Sequence, residues 1–455
     1  MLYPSAGVFS PIVIDKGKPI ELIASVPDDD DEPPVVYLPQ QGWIARCQLH
    51  NTICDGSSPA LGGYEVANLA IFTSEAPRCF SLLYSSGFPT HGALMERPLN
   101  VLIYGTGAVG AVLGWRISQS SRAVVTAVCR TNFSAVAHSG FTINTSTWGS
   151  GIFRPHKTVR HPSEATRGPY DLVILATKLI SDPKPVIQDL SLVISPGTAI
   201  CSVQNGVGSD PLLASAFPGN PVLSAICYIS LSQTSPGHVI QNIDFKCAPR
   251  PFGIGTYAGG HAAMAALSQL VSLDSEFETI ECTEKKRWEK MVFNSAWNPS
   301  CALLGLDSDG MTRSPMAMQL VRSLAEETYD LARAQGVDLD SGIVDRTVDW
   351  AKKNAGCALV PSMLQDMRNG RLVEVRGLCS VLVDLARQAG LEVPTIGKVE
   401  EALRKRNQVL SRAVETGSND ITRVKRGIRD FIYDISLPTD QGMPVNGLGA
   451  TVVRG

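Results

Sequence analysis

The run Val101-Leu-Ile-Tyr-Gly105-Thr-Gly107-Ala-Val-Gly110 constrains this chain more than any other segment. An apolar strand that ends in G-x-G-x-x-G and opens a helix is the mark of a dinucleotide-binding βαβ unit. Gly105 permits the tight turn, Gly107 lets the backbone approach a pyrophosphate, and Gly110 allows the helix to pack closely on the strand. Thr106, Ala108 and Val109 complete the loop, and the helix N-terminus offers amide donors and positive potential to an anion. An ordinary glycine-rich turn is the bland alternative, which the strand-turn-helix context disfavours.

The residues around and beyond this loop fit a dinucleotide domain. Short β-rich runs at Asn100–Tyr104, Ala123–Cys129, Asp171–Thr177 and Thr198–Val203 alternate with helix-length segments, which predicts right-handed crossovers and a parallel sheet with helices on both faces. Val222–Cys227, Gly237–Ile243 and Pro251–Thr256 read as later strands of the same domain. Beyond about Glu278 the pattern turns amphipathic and helical, at Glu281–Leu304, Pro315–Gln335, Ser341–Asn354, Val373–Ala389 and Lys398–Val414. The predicted fold is therefore α/β, a Rossmann-like doubly wound domain over residues 98–278, followed by an all-helical domain over 279–414. Residues 1–97, with the run Pro-Asp-Asp-Asp-Asp-Glu-Pro-Pro at 27–34, are expected to be an irregular extension, and 415–455 a loose tail.

Composition bounds the partners. Forty basic against 43 acidic residues, a formal charge of -3, removes the electrostatic reason to expect nucleic acid or an anionic membrane. Glycines and prolines interrupt every long uncharged stretch, so no membrane span is expected. Eleven cysteines without a C-x-x-C pair read as reduced thiols rather than a disulfide or metal framework, and the expected compartment is cytoplasmic.

The candidate site residues emerge from strand ends and helix faces. Arg130 ends the second strand, where an acidic residue would select NAD, and is suited to pair with a 2′-phosphate, so NADP is favoured. Lys178 and Asn205 come just after the third and fourth strands, on the ligand side of a doubly wound sheet, although a surface lysine and a turn-forming Asn-Gly would look the same. Lys290, Asn294 and Asn298 are four apart and share one helix face, a polar stripe among Met291, Val292 and Phe293. A lysine so placed can move a proton. Ser362 and Glu374 read equally as site residues or as a helix cap and a first-turn charge, which spacing does not decide.

Taken in order, these pieces resemble the ketopantoate reductase family, the 2-dehydropantoate 2-reductases of the 6-phosphogluconate-dehydrogenase-like superfamily. The resemblance runs from about Leu99 to Arg412 and includes Gln204-Asn-Gly-Val-Gly208, Trp288-Glu-Lys290 with Asn294 and Asn298-Pro, Ser362-Met-Leu-Gln-Asp366, Glu374 and Gly390-Leu-Glu-Val-Pro394. It implies NADPH-dependent reduction of 2-dehydropantoate to pantoate, in the pathway to pantothenate and coenzyme A. By the same resemblance Lys290 is the proton donor and Glu374 the acidic residue that orients substrate and supports it. Asn294, Asn298 and Ser362 hold the substrate's hydroxyl and carboxylate, Lys178 and Asn205 lie by cofactor and substrate, and Arg130 contacts the 2′-phosphate. The expected partner is a small 2-keto acid, with no metal, and a homodimer is left open.

The family usually has a second acidic residue two positions after Glu374 and often a later Asn-Gly, where this chain has Arg376 and Cys379-Ser380. The wording around Asn298 is more similar to fungal-type paralogues. Reduction of another 2-keto or β-dicarbonyl substrate, or a non-catalytic NADP(H) sensor, therefore stays open.

Overall fold

The computed structural model describes residues 97–165, 169–242, 250–353 and 358–415, and of residues 1–96 only the backbone of short strands. The chain forms two compact units, Met1–Glu96 and Arg97–Gly455. In the first, Glu65–Ile71 pairs antiparallel with Arg78–Tyr84, so paired strands interrupt the irregular extension expected there. Val66, Ile71, Phe80 and Tyr84 are residue types that favour extended pairing. The tail expected from 415 lies outside the described residues from 416 onward.

The second unit opens with β1 (Leu99–Tyr104), α1 (Ala108–Ile117), β2 (Ala123–Val128) and α2 (Phe133–Ser139). Next come β3 (Phe141–Thr145), β4 (Gly149–Phe153), β5 (Lys157–Val159), β6 (Leu172–Leu175), α3 (Lys184–Leu190), β7 (Ala199–Ser202), α4 (Ser209–Ala216) and β8 (Val222–Cys227). The α/β part closes with β9 (Leu231–Ser235), β10 (His238–Gln241), β11 (Phe252–Ala258), α5 (Gly260–Val271) and β12 (Phe277–Thr279).

The main sheet runs β5-β2-β1-β6-β7-β8-β11-β12. Its pairings are parallel except β8 with β11, so the expected parallel sheet carries one antiparallel join. The chain winds outward from β1 in both directions, to β2 on one side and β6 on the other, which opens a crevice beyond the carboxyl ends of these strands. Alternation along β1 supplies two cores: Val101 and Ile103 join one, Leu102 and Tyr104 the other. A second sheet, β4-β3-β10-β9, takes the 238–241 strand away from the main sheet. Gly149–Phe153 and Leu231–Ser235 are too short and polar to announce themselves in sequence, and their pairing depends on partners far along the chain.

From Thr283 the chain is helical: α6 (Thr283–Leu304), α7 (Ser308–Thr312), α8 (Pro315–Ala334), α9 (Ile343–Lys353), α10 (Ser362–Arg368), a π-helical turn at Arg376–Ser380, α11 (Val381–Ala389) and α12 (Pro394–Glu415). One buried cluster, including Met291, Leu324, Leu364, Leu378 and Leu403, holds these elements together. Among the described residues no helix is long and apolar enough to cross a membrane, and no group of three His, Cys, Asp or Glu is placed to hold a metal ion.

Candidate active site

The glycine loop is built as a phosphate cradle. Gly105 has φ +99°, and a Cβ there would lie 2.5 Å from the Thr177 amide nitrogen. A Cβ on Gly110 would stand 2.6 Å from the Gly105 carbonyl oxygen, whereas one on Gly107 would meet nothing within 4 Å. Backbone is thus exposed at Gly107 and crowded at its two companions, as a bound pyrophosphate requires. Gly107 caps α1 with no side-chain hydrogen bond and no acidic residue in the first turn. The first intrahelical bond runs from the Ala111 amide to the Gly107 carbonyl, so the amides of Ala108, Val109 and Gly110 have no helical acceptor. These features fit a dinucleotide.

Side-chain contacts fix the loop to β2 and to the start of α2. The buried Thr106 hydroxyl donates to the Val128 carbonyl at 2.9 Å, and the Asn132 side-chain amide donates to the Thr106 carbonyl at 2.8 Å. Asn132 is not legible in sequence as a loop anchor, because its acceptor is a backbone atom 26 residues away. Arg130 is exposed at the end of β2. The parallel pairing of β2 with β5 brings Arg160 to the same end of the sheet, with its guanidinium 4.0 Å over the Phe133 ring.

A second group gathers where β6, β7 and β8 meet the helical elements. Gln204 ties two strand ends by donating from Nε2 to the Thr177 carbonyl at 2.7 Å and to its hydroxyl at 2.9 Å. Lys290 Nζ donates to Asn205 Oδ1 at 3.0 Å and to the Cys227 carbonyl at 2.6 Å. The Asn205 side chain also faces the Glu374 carboxyl, so Lys290, Asn205 and Glu374 form one polar row. Glu374 is 4% exposed and its Oε1 accepts from the Leu179 amide at 3.0 Å. Burial pushes its carboxyl above the ordinary range, against the pull of the Leu179 amide, the Lys178 charge and Asn205. Lys178 Nζ pairs with the buried Asp366 carboxylate of α10.

The remaining candidates are less uniform. Asn294 is nearly buried and Asn298 half-buried on α6, on the Lys290 face. Ser362 is exposed and does not cap its helix: Pro361 occupies the cap position, and Ser362 is the first helical residue of α10. Proline's fixed φ suits a helix start, and the extended ψ of 156° at Pro361 puts it just outside the helix. Glu374 lies just before the helical turn that begins at Val375, so it is not the first-turn charge that its sequence position allowed.

Arg376, Cys379 and Ser380 engage the helical domain. Arg376 pairs with Asp384 of α11, the Ser380 hydroxyl donates to Glu400 of α12 at 2.8 Å, and Cys379 is buried in the helical core. Between them the π-turn meets the strand ends: the Gly377 amide donates to the Leu179 carbonyl at 3.1 Å, and a Cβ on Gly206 would lie 2.1 Å from the Gly377 carbonyl oxygen. A π-turn beside a polar cleft is a common companion of functional sites. Sequence reasoning also misses Arg287, which lies one turn before Lys290 on the same face of α6 and is 7% exposed.

A doubly wound domain with an uncapped glycine-loop helix, followed by a helical domain whose lysine reaches the strand ends, defines a two-domain dinucleotide-dependent oxidoreductase. Residues 101–248 match the family described as ketopantoate reductase PanE/ApbA, and residues 283–407 its C-terminal counterpart. These matches cover more than half of the chain, which therefore belongs to the ketopantoate reductase family. A 2-dehydropantoate 2-reductase of Halobacterium salinarum is 24% identical over 309 residues, spanning 67% of this chain and 98% of that one. The Saccharomyces cerevisiae uncharacterized protein YDL144C is 24% identical over 324 residues, 65% of this chain and 90% of its own, in keeping with a fungal-type paralogue. The crystal structure of 2-dehydropantoate 2-reductase from Methylococcus capsulatus superposes with a TM-score of 0.56 at 28% identity, covering 69% of this chain and 98% of that one.

Proposed function

We propose that this chain reduces a 2-keto acid with NADPH, with 2-dehydropantoate as the first candidate substrate and pantothenate synthesis as its setting. The observation that carries this reading is the polar row Lys290, Asn205, Glu374 at the carboxyl ends of the strands of the sheet that bears the glycine loop. Held by the glycine loop of Gly105, Gly107 and Gly110, the reduced dinucleotide would supply the hydride. As hydride adds to the keto carbon, negative charge grows on its oxygen, and the Lys290 ammonium both stabilises that charge and gives the proton. Asn205 and the Cys227 carbonyl hold Lys290 Nζ in place from the protein side. Asn294, Asn298 and Ser362 offer donors to the substrate's hydroxyl and carboxylate, and Lys178, held by Asp366, adds positive charge at the strand ends. Arg130 selects the 2′-phosphate. A homodimer belongs to the same proposal and is read by sedimentation.

NADPH oxidation by the purified protein across a panel of 2-keto acids and β-dicarbonyl compounds tests the reading. Turnover of 2-dehydropantoate supports it in full. Turnover of another member moves the substrate assignment, and NADPH binding with no turnover of any member replaces the reductase by a sensor.

A further inference from the structure

The guanidinium of Arg287 spends every nitrogen on the strand ends beneath the candidate site. Nε meets the Ser224 hydroxyl at 2.6 Å and Asp210 Oδ2 at 2.8 Å. Nη1 donates to the carbonyls of Gln204 at 2.8 Å and Gly206 at 3.1 Å, and Nη2 to those of Ser202 at 2.9 Å and Ala225 at 3.1 Å. The two carbonyls on Nη1 are those immediately before and after Asn205. One nitrogen therefore grips the backbone on both sides of the residue whose side chain receives Lys290 Nζ. Arg287 and Lys290 are three apart on α6, so a single helix face carries the ammonium and the group that fixes the ammonium's acceptor.

We infer that Arg287 is a positioning residue, which sets Asn205 and through it the placement of Lys290; the inference rests on the reading of Lys290 as proton donor. The competing account is a fold anchor, a buried ion pair with Asp210 that happens to lie nearby. The geometry favours positioning, because four of the six contacts are to backbone carbonyls and two of these flank Asn205. A planar fork of five donors can serve both strands at once, which an ammonium cannot.

Arg287→Lys keeps the charge opposite Asp210 and removes the fork. The readout is labelling of Lys290 in the full chain by acetic anhydride at fixed pH, followed by peptide mass spectrometry and normalised to the exposed Lys352, with the thermal midpoint and kcat taken in parallel. An ammonium that loses an acceptor gives up its proton more readily, so Lys290 labelling should rise by about threefold or more in Arg287→Lys. In an Asn205→Ala background the same substitution should add nothing. Unchanged labelling in Arg287→Lys, or an equal rise in both backgrounds, overturns the inference. Asp210→Asn is the second variant: it leaves the carbonyl grip in place, so the midpoint should move and Lys290 labelling should not. A labelling rise there of the same size assigns control to the ion pair and also overturns the inference. Because labelling needs no substrate, an inactive wild type with the expected labelling pattern retires the reductase reading and keeps the role of Arg287.

Discussion

Lys290 and Lys178 are both lysines at the strand ends, and their partners separate them. Lys290 Nζ donates to Asn205 Oδ1 and the Cys227 carbonyl, while Lys178 is committed to the Asp366 carboxylate. An ammonium already paired with a buried carboxylate, as Lys178 is, turns to a new oxyanion only at the cost of that pair, which leaves Lys290 as the candidate donor. Lys290→Ala should therefore lower kcat by about 10² to 10⁴ with the NADPH dissociation constant nearly unchanged. Were Lys178→Ala to show that loss instead, the two roles would be exchanged. At the far end of the crevice, Arg130→Ala should weaken NADPH binding by about ten- to a hundredfold and leave NADH alone, as measured by fluorescence titration. Glu374 adds a pH dependence. Burial pushes its carboxyl above the usual carboxylate range, so the native state holds that proton more tightly than the unfolded chain. The stability it contributes is complete at low pH and is lost as pH rises through the raised value. Glu374→Gln keeps the acceptor for the Leu179 amide and removes that loss. Its thermal midpoint should gain on the wild type as pH rises from the usual carboxylate range through the raised one, and a gap that stays constant over that rise counts against the raised carboxyl.

At the scale of elements, the junction of the β7 loop with the π-turn is the tightest approach in the site. Gly206 has φ +88°, and a Cβ there would sit 2.1 Å from the Gly377 carbonyl oxygen. Gly206→Ala should cost about 2 to 4 kcal/mol in urea unfolding, combining left-handed strain with a backbone clash, and should also lower activity by displacing Asn205. The glycine loop, β1, β2, β6, β7 and β8 are legible in sequence because each is an apolar run bounded by turn residues. The long helices are legible because their apolar stripes repeat over several turns. Gly149–Phe153, Leu231–Ser235 and the π-turn are not, since their conformation is set by distant partners rather than by local pattern. The site divides in the same way. Lys290, Asn294 and Asn298 share a face that spacing reveals, whereas the link from Lys290 through Asn205 to Glu374 joins residues 85 apart and more. The grip of Arg287 on backbone carbonyls leaves no trace in residue types at all.

For the whole molecule, every group in the candidate site lies after Arg97, and so do both faces of the main sheet and the helical core. The start of that unit is secured locally. The Arg97 guanidinium meets both oxygens of Asp171, at 2.7 and 2.6 Å, and Asp171 Oδ2 also accepts the Asn100 amide at 2.7 Å as β1 begins. Asp171 itself leads into β6, the next strand of the sheet, so this contact joins the two central strands at their amino ends. A chain beginning at Met95 retains the whole arrangement. It should be soluble, bind NADPH, and turn over within about twofold of the full chain, the scale expected when the second unit's own contacts are kept. The measurement is NADPH oxidation by both chains side by side, with the thermal midpoint as a check on folding. A shortened chain that aggregates, or that folds and loses NADPH affinity, would show that residues 1–94 contribute to the dinucleotide domain, and the boundary between the two units would no longer mark the limit of the catalytic body.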